Sequence, residues 1–341
     1  MLLRIKSYNK VCTYHDERRE TILKRQKWVD IARGILIILV VYGHSAFIQY
    51  YSNWHTYIYW FHMPAFFFLS GYVFKVKDSF LAQLKYATIR LLIPYVFIVA
   101  LITIYRYLIT PMSPHILTEF RNITLGGRFI DGYYAPFWFI TCLWFTQITY
   151  MAIYKLPRVI SWVIITLLFI ISHYQPTSWR IPGNLDLSLY AILFFALGHQ
   201  MKWLVNQYSC IVGSIVFLGG IYFGKQGKVP FWLDIKQHLL SGRYDLIIPL
   251  SGILMVIGIS KLIERISIGN ILESIGKESL IIMYLHIIVA VELYRFGIYK
   301  DLLLFVLFGI SVPIMIQSLL RFMQLKTKEL GPVLKVFNKK Q

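Results

Sequence analysis

Charge is what this sequence has least of. Only 15% of its 341 residues are Asp, Glu, Lys or Arg, where soluble domains carry about a quarter. That shortfall excludes an ordinary soluble enzyme. Cysteine is scarce too. Cys12, Cys142 and Cys210 stand alone, with no CxxC pair and no metal-ligand spacing, so neither a disulfide framework nor a metal site is indicated. P-loop, GxGxxG, GxSxG and HExxH motifs are all missing, which leaves ATP-driven and zinc-dependent chemistry without support. No repeat of about 20–50 residues and no matching half-sequences are visible, and this counts against a repeat-built transporter.

What is present is grease. Hydrophobic residues make up 57% and aromatics 17%, and the mean hydropathy is +0.59. The class is an integral membrane protein, all-α, a polytopic bundle. Apolar segments of spanning length run at 34–51, 55–74, 88–109, 136–154, 158–174, 185–202, 209–224, 245–263, 279–297 and 301–322, about ten in all. The basic excess, 35 against 16 acidic residues, does not indicate nucleic acid. It gathers at the ends of apolar segments, and about 25 of these cations fall on one side, which places both termini in the cytoplasm. The first apolar run lacks a small-residue cleavage site and is read as a retained helix. The expected organisation is a basic tail over 1–27, a membrane domain over 28–325 and a second basic tail over 326–341. The tails face solvent or the lipid surface.

Within this frame, residues 27–74 hold ionisable groups inside lipid-like segments. Asp30, Arg33 and His44 come from one run, and His62 opens Phe61-His62-Met63-Pro64. Arg33 and His44 are eleven positions apart, close to three whole helical turns, so they share a face about 16 Å apart along the axis. Asp30 is one turn before Arg33 and is placed to pair with it. A histidine deep in a membrane helix is costly and marks a functional site by default. An anionic donor held at the edge, with its reactive end reaching an internal imidazole, suits this stripe.

Other candidates follow from position. His286 lies about 13 Å beyond Lys277 at helical rise, a depth similar to that of His44, so the two are candidate neighbours. Pro64 is expected to kink the second span near His62. Ser70-Gly71 permits close helix approach, the simpler role. Arg90 is either an interfacial anchor or a phosphate ligand beside Arg33. Trp138 is read as an interface anchor first and a substrate platform second. Glu292 and Arg295 are spaced to pair with each other. The longer connections at 110–135, 175–184 and 225–244 are aromatic, which fits an interfacial belt or, less simply, a sugar-stacking surface.

These residues resemble the integral-membrane acyltransferase-3 family, in its fucose 4-O-acetylase-like branch. The likeness rests on Asp30-Ile31-Ala32-Arg33-Gly34 with His44 ten residues on, and on the run Phe61-His62-Met63-Pro64 through Phe66-Phe67-Phe68-Leu69-Ser70-Gly71-Tyr72. Weaker pieces are Arg90-Leu91-Leu92-Ile93-Pro94, Pro136-Phe137-Trp138-Phe139, Ile181-Pro182-Gly183-Asn184 and Gly276-Lys277-Glu278-Ser279 leading to His286. The resemblance implies a ten-helix enzyme of the bacterial cytoplasmic membrane. It implies acetyl-CoA as acyl donor, without a metal, and the hydroxyl of a surface or lipid-linked glycan as acceptor. Arg33, with Arg90, is then assigned to the CoA phosphates. His44 is the base or transient acyl carrier, Asp30 orients Arg33, His286 assists, and His62 and Trp138 are placed near the acceptor. The rival reading of the same features is a transporter or flippase for a lipid-linked glycan or small metabolite.

Overall fold

Backbone polar groups in hydrocarbon must be satisfied within the segment that carries them, so apolar runs of this length become helices. The computed structural model describes residues 26–45, 54–109, 116–176, 178, 181–298 and 301–326. Most of both basic tails therefore lies outside the described residues. The helices are α1 (Lys27–Gly43), α2 (Trp54–Tyr59), α3 (His62–Tyr72), α4 (Phe80–Ala87), α5 (Ile93–Ile109), α6 (Ile116–Leu125) and α7 (Trp138–Tyr154). They continue as α8 (Arg158–Tyr174), α9 (Leu185–Gln200), α10 (Gln207–Lys225), α11 (Ile247–Ile263), α12 (Ile268–Lys277), α13 (Ser279–Arg295) and α14 (Leu302–Lys326).

Among the described residues, four helical stretches are long and apolar enough to cross a membrane: Phe80–Ile109, Gly132–Tyr154, Gln207–Lys225 and Leu302–Phe322. A fifth is a broken one, α12 and α13, bent by 80°. Helices α8 and α11 are shorter and apolar. Burial separates their surroundings. Helix α9 is covered on nearly every side, with Tyr190, Phe194 and Phe195 sealed from solvent, as befits a helix that is apolar all round. Helix α10 instead turns Ile211, Val212, Ile215 and Leu218 outward, the face a lipid-exposed helix presents.

The structure redraws three segments. The first helix begins at Lys27, before Arg33, and closes at Gly43. The expected span at 55–74 is two helices, broken at Trp60-Phe61. Pro64 is not the cause of that break. It occupies the first turn of α3, where the missing N–H has no intrahelical partner to lose. The third apolar segment starts at Phe80, and a π-helical turn at Thr88–Leu92 joins α4 to α5. The connection 225–244 adds an element absent from the helical expectation, a small antiparallel hairpin pairing β1 (Leu233–Asp234) with β2 (Leu239–Leu240).

Two close crossings position the site. A Cβ added at Gly34 would overlap the Leu272 carbonyl, and one at Gly276 would overlap the Asp30 carbonyl. Helices α1 and α12 therefore touch backbone to backbone, and the Lys27 ammonium donates to Asn270 Oδ1 at 2.8 Å beside that contact. Gly71 and Gly198 form the same kind of junction between α3 and α9, against Phe195 and Phe68. Without a hydrophobic drive between helices in lipid, small residues and close packing supply the association. Beyond Gly276 the chain bends into α13, and Arg321 of α14 grips Glu278 at the bend with two bonds of 2.7 and 3.0 Å.

Candidate active site

Because α1 lies along α12 and α13 turns away from that contact, the far end of α1 meets the middle of α13. The His44 ring sits 5.2 Å from the His286 ring, with their planes inclined at 42°. His44 caps α1, with φ −92° and ψ 1°. Its backbone N–H is shared between the Val40 and Val41 carbonyls at 3.1 and 3.2 Å. The imidazole is thus presented from a helix end rather than from a helix wall.

His286 is 1% exposed. Its Nδ1 lies 2.9 Å from the Ile282 carbonyl. A carbonyl only accepts, so Nδ1 carries the proton and Nε2 keeps its lone pair. That Nε2 is buried and has no hydrogen-bond partner among the described residues. His62 repeats the device, with Nδ1 2.8 Å from the Ile58 carbonyl. Its ring packs 4.8 Å from Tyr59, which in turn stacks 4.1 Å from His55. Among the described residues, the titratable groups whose charge reaches His44 are His286, His62, Lys236 and His55. Lys236 and its neighbour Asp234 come from the hairpin connection. Burial pushes the Asp234 carboxyl up, and the Gln237 amide and the Lys236 charge partly oppose that shift.

At the other end of α1, Arg33 is 3.5 Å from Asp30, as their spacing predicts, and both are shielded, at 14% and 2% side-chain exposure. Helix α1 is unbroken between them and Gly43, so the interval to His44 stays near 16 Å at helical rise. Arg90 lies in the π-helical turn, the kind of irregularity that recurs at functional sites. Its guanidinium donates to the Tyr86 hydroxyl at 2.6 Å. Trp138 is buried, at 7% exposure. Its carbonyl accepts from Asn184 Nδ2 at 3.1 Å.

Sequence reasoning missed His55, Tyr59, Asp234 and Lys236. They lie on a short helix and in the small hairpin, with no periodic signal to mark them. It also missed a second polar region away from the paired imidazoles. There Arg128 and Asp186 form a buried ion pair, and Asn184 Oδ1 accepts from the Arg128 amide at 2.8 Å. His173 Nε2 meets Asp245 at 2.8 Å, and Asp245 accepts further bonds from the amides of Ser241 and Gly242. Among the described residues, no group of three or more His, Cys, Asp or Glu is placed to hold a metal ion.

A family model described as an acyltransferase domain matches residues 26–316. The chain is 39% identical over 84 residues to the nodulation protein NolL of Sinorhizobium fredii (strain NBRC 101917 / NGR234), covering 21% of this chain and 23% of that protein. It is 28% identical over 216 residues to the NolL of Mesorhizobium japonicum (strain LMG 29417 / CECT 9101 / MAFF 303099), covering 56% and 55%. The chain thus spans about a quarter and about half of these two relatives. No solved structure matches it.

Proposed function

The chain belongs to the integral-membrane acyltransferase-3 family, and from that premise we propose that it moves an acetyl group from acetyl-CoA to a hydroxyl of a cell-surface or lipid-linked glycan. The enzyme class, an acyltransferase, follows from the family. The acetyl donor, the glycan acceptor and the residue roles are the proposal. The observation that carries it is the pair of imidazoles 5.2 Å apart, one of them with a proton-accepting Nε2 held open.

In this scheme Arg33, held by Asp30, takes a CoA phosphate at the cytoplasmic edge through charge-assisted hydrogen bonds, and Arg90 takes a second. The pantetheine arm spans the distance to the imidazoles. One imidazole accepts the proton of the acceptor hydroxyl while the hydroxyl oxygen attacks the thioester carbonyl. The C–O bond forms, the C–S bond breaks, and the departing thiolate takes the proton back from the imidazole. His286 fits the base. Its backbone bond fixes the tautomer that leaves Nε2 basic. His44, at the helix end, is free to orient the reacting groups or to carry the acyl group transiently. The surroundings are a bacterial cytoplasmic membrane, with ten spans and both termini inside.

The test uses the purified full chain in nanodiscs with isotopically labelled acetyl-CoA, alongside mass spectrometry of surface glycans from cells with and without the gene. The expected result is the mass increment of one acetyl group, dependent on the gene and lost in His44→Ala at unchanged protein level. Unchanged acylation in His44→Ala overturns the assignment.

A further inference from the structure

Between α6, the end of α5 and the turn 127–134 lies a cleft of about 260 Å³, walled by Arg106, Glu119, Asn122, Asp131, Tyr133 and Tyr134. None of these belongs to the site above. Arg106 and Glu119 form a two-bond pair, 2.8 and 3.1 Å. The same guanidinium stands over the Tyr133 and Tyr134 rings, at 5.0 and 5.7 Å. Tyr134 is pinned in turn, its hydroxyl 2.8 Å from that of Thr103. The polar wall is therefore organised before any ligand enters, and the cleft is the size of a single sugar ring.

Two links tie this cleft to the imidazoles. Asp131 accepts from Lys236 at 2.6 Å, and Lys236 is among the groups whose charge reaches His44. The Tyr133 hydroxyl lies 3.4 Å from Arg295 on α13, the helix that carries His286. Arg295 is nine residues beyond His286, about 14 Å along the helix at ~1.5 Å per residue. The cleft thus lies within reach of one end of a short oligosaccharide whose other end meets the reacting nitrogens.

The charges in the wall and directly beside it cancel. Arg106 is matched by Glu119, Lys236 by Asp131 and Arg295 by Glu292. An anion gains little there. A neutral polyol gains much, because carboxylate, amide and guanidinium groups bond adjacent hydroxyls while an aromatic face takes the C–H side of a sugar. We propose that this cleft is an acceptor subsite that holds a neutral sugar one or two units away from the hydroxyl being acylated, so that the enzyme selects oligosaccharides over single sugars. The proposal rests on the acyltransferase reading above and adds where the acceptor is gripped.

The experiment uses the full-length protein in nanodiscs, acetyl-CoA, and oligosaccharides released from the surface of cells lacking this gene, fractionated by size and by charge. Neutral fractions of two or more sugars should be acetylated with a KM at least ten-fold below that of single sugars. Glu119→Gln and Tyr133→Ala should raise the KM for the long fraction about ten-fold, toward the single-sugar value, with kcat within two-fold. Tyr133 is half-buried on the cleft wall, so its variant serves if Glu119→Gln loosens α6. In equilibrium dialysis, His44→Ala should still bind the long fraction. Equal KM values for short and long fractions overturn the subsite, as do variants that leave the long-fraction KM unchanged or a preference for anionic fractions. Those results leave the acyltransferase assignment standing. Failure of acetyl-CoA to acetylate any fraction overturns that assignment, and the subsite with it.

Discussion

The chain buries two histidine sites of opposite design. In one, His286 spends its Nδ1 proton on a backbone carbonyl and leaves Nε2 unpartnered, facing His44. In the other, His173 has both nitrogens engaged, Nδ1 at 2.8 Å from the Phe169 carbonyl and Nε2 at 2.8 Å from Asp245. A backbone carbonyl and a carboxylate both accept, so a proton on each nitrogen satisfies the whole arrangement and leaves nothing open. Asp245 is itself saturated by the Ser241 and Gly242 amides, and the Tyr190 hydroxyl donates to its carbonyl. A buried polar group left unsatisfied costs stability. A fold accepts that cost at a place where a ligand later makes the missing bond. On the proposed function, the first pair serves chemistry and the second holds the hairpin connection onto α8 and α9.

Substitutions should therefore split the two sites. The largest effect is expected at the open pair. His286→Gln and His44→Ala should lower acetyl transfer by about 10²–10⁴-fold, the range of a general base, while detergent-solubilised protein keeps its thermal midpoint within a few degrees. Asp245→Asn should do the reverse. Stripping the charge from a buried pair costs about 3 kcal/mol, so the midpoint should fall clearly while kcat of the surviving protein holds. If Asp245→Asn silences transfer at full stability, the division of roles collapses.

Between these lies the crossing that brings the open pair together. Gly276→Ala places a methyl against the Asp30 carbonyl of α1, backbone that has no freedom to yield. Overpacking of this kind costs about 1–3 kcal/mol. Since α1 ends in His44 and α12 leads into α13, the separation of the two imidazoles should grow with it. Loss of both stability and transfer is expected, measured by thermal melting and by labelled acetyl-CoA. Gly219→Ala, on α10 with open space around it, is the matched control and should leave transfer intact.

Much of the open site was legible in the sequence. The eleven-residue spacing of Arg33 and His44 is a helical period, the Asp30 pairing follows from a spacing of three, and a similar depth made His44 and His286 candidate neighbours. What stayed hidden depends on chain reversals. The break at Trp60-Phe61 has no proline and no glycine to announce it, and Pro64 drew attention to the wrong residue. Lys236 and Asp234 reach the site from a connection whose path no periodicity describes, and Asp131 meets Lys236 from another. Arg128 and Asp186 are 58 positions apart, and neither falls on a repeat with the other. The glycines at 34, 71 and 276 were visible as letters in motifs, but their partners across the two crossings were not.

The smallest effect separates the two arginines assigned to the donor. Arg33 is shielded and tied to Asp30, whereas Arg90 rests on a tyrosine hydroxyl in a π-helical turn. A lysine keeps the charge but loses the planar fork that grips two phosphate oxygens. Arg90→Lys should therefore raise the KM for acetyl-CoA about three-fold, under 1 kcal/mol by the usual conversion, with kcat unchanged. Arg33→Lys should cost more, because Asp30 then loses the geometry it was paired with. The donor lacking the 3′-phosphate decides which phosphate Arg90 serves. If wild type and Arg90→Lys bind that donor equally, Arg90 holds the 3′-phosphate. If the three-fold gap persists, Arg90 belongs to the pyrophosphate. If no gap exists with either donor, Arg90 is an interfacial anchor and Arg33 alone holds the anionic end.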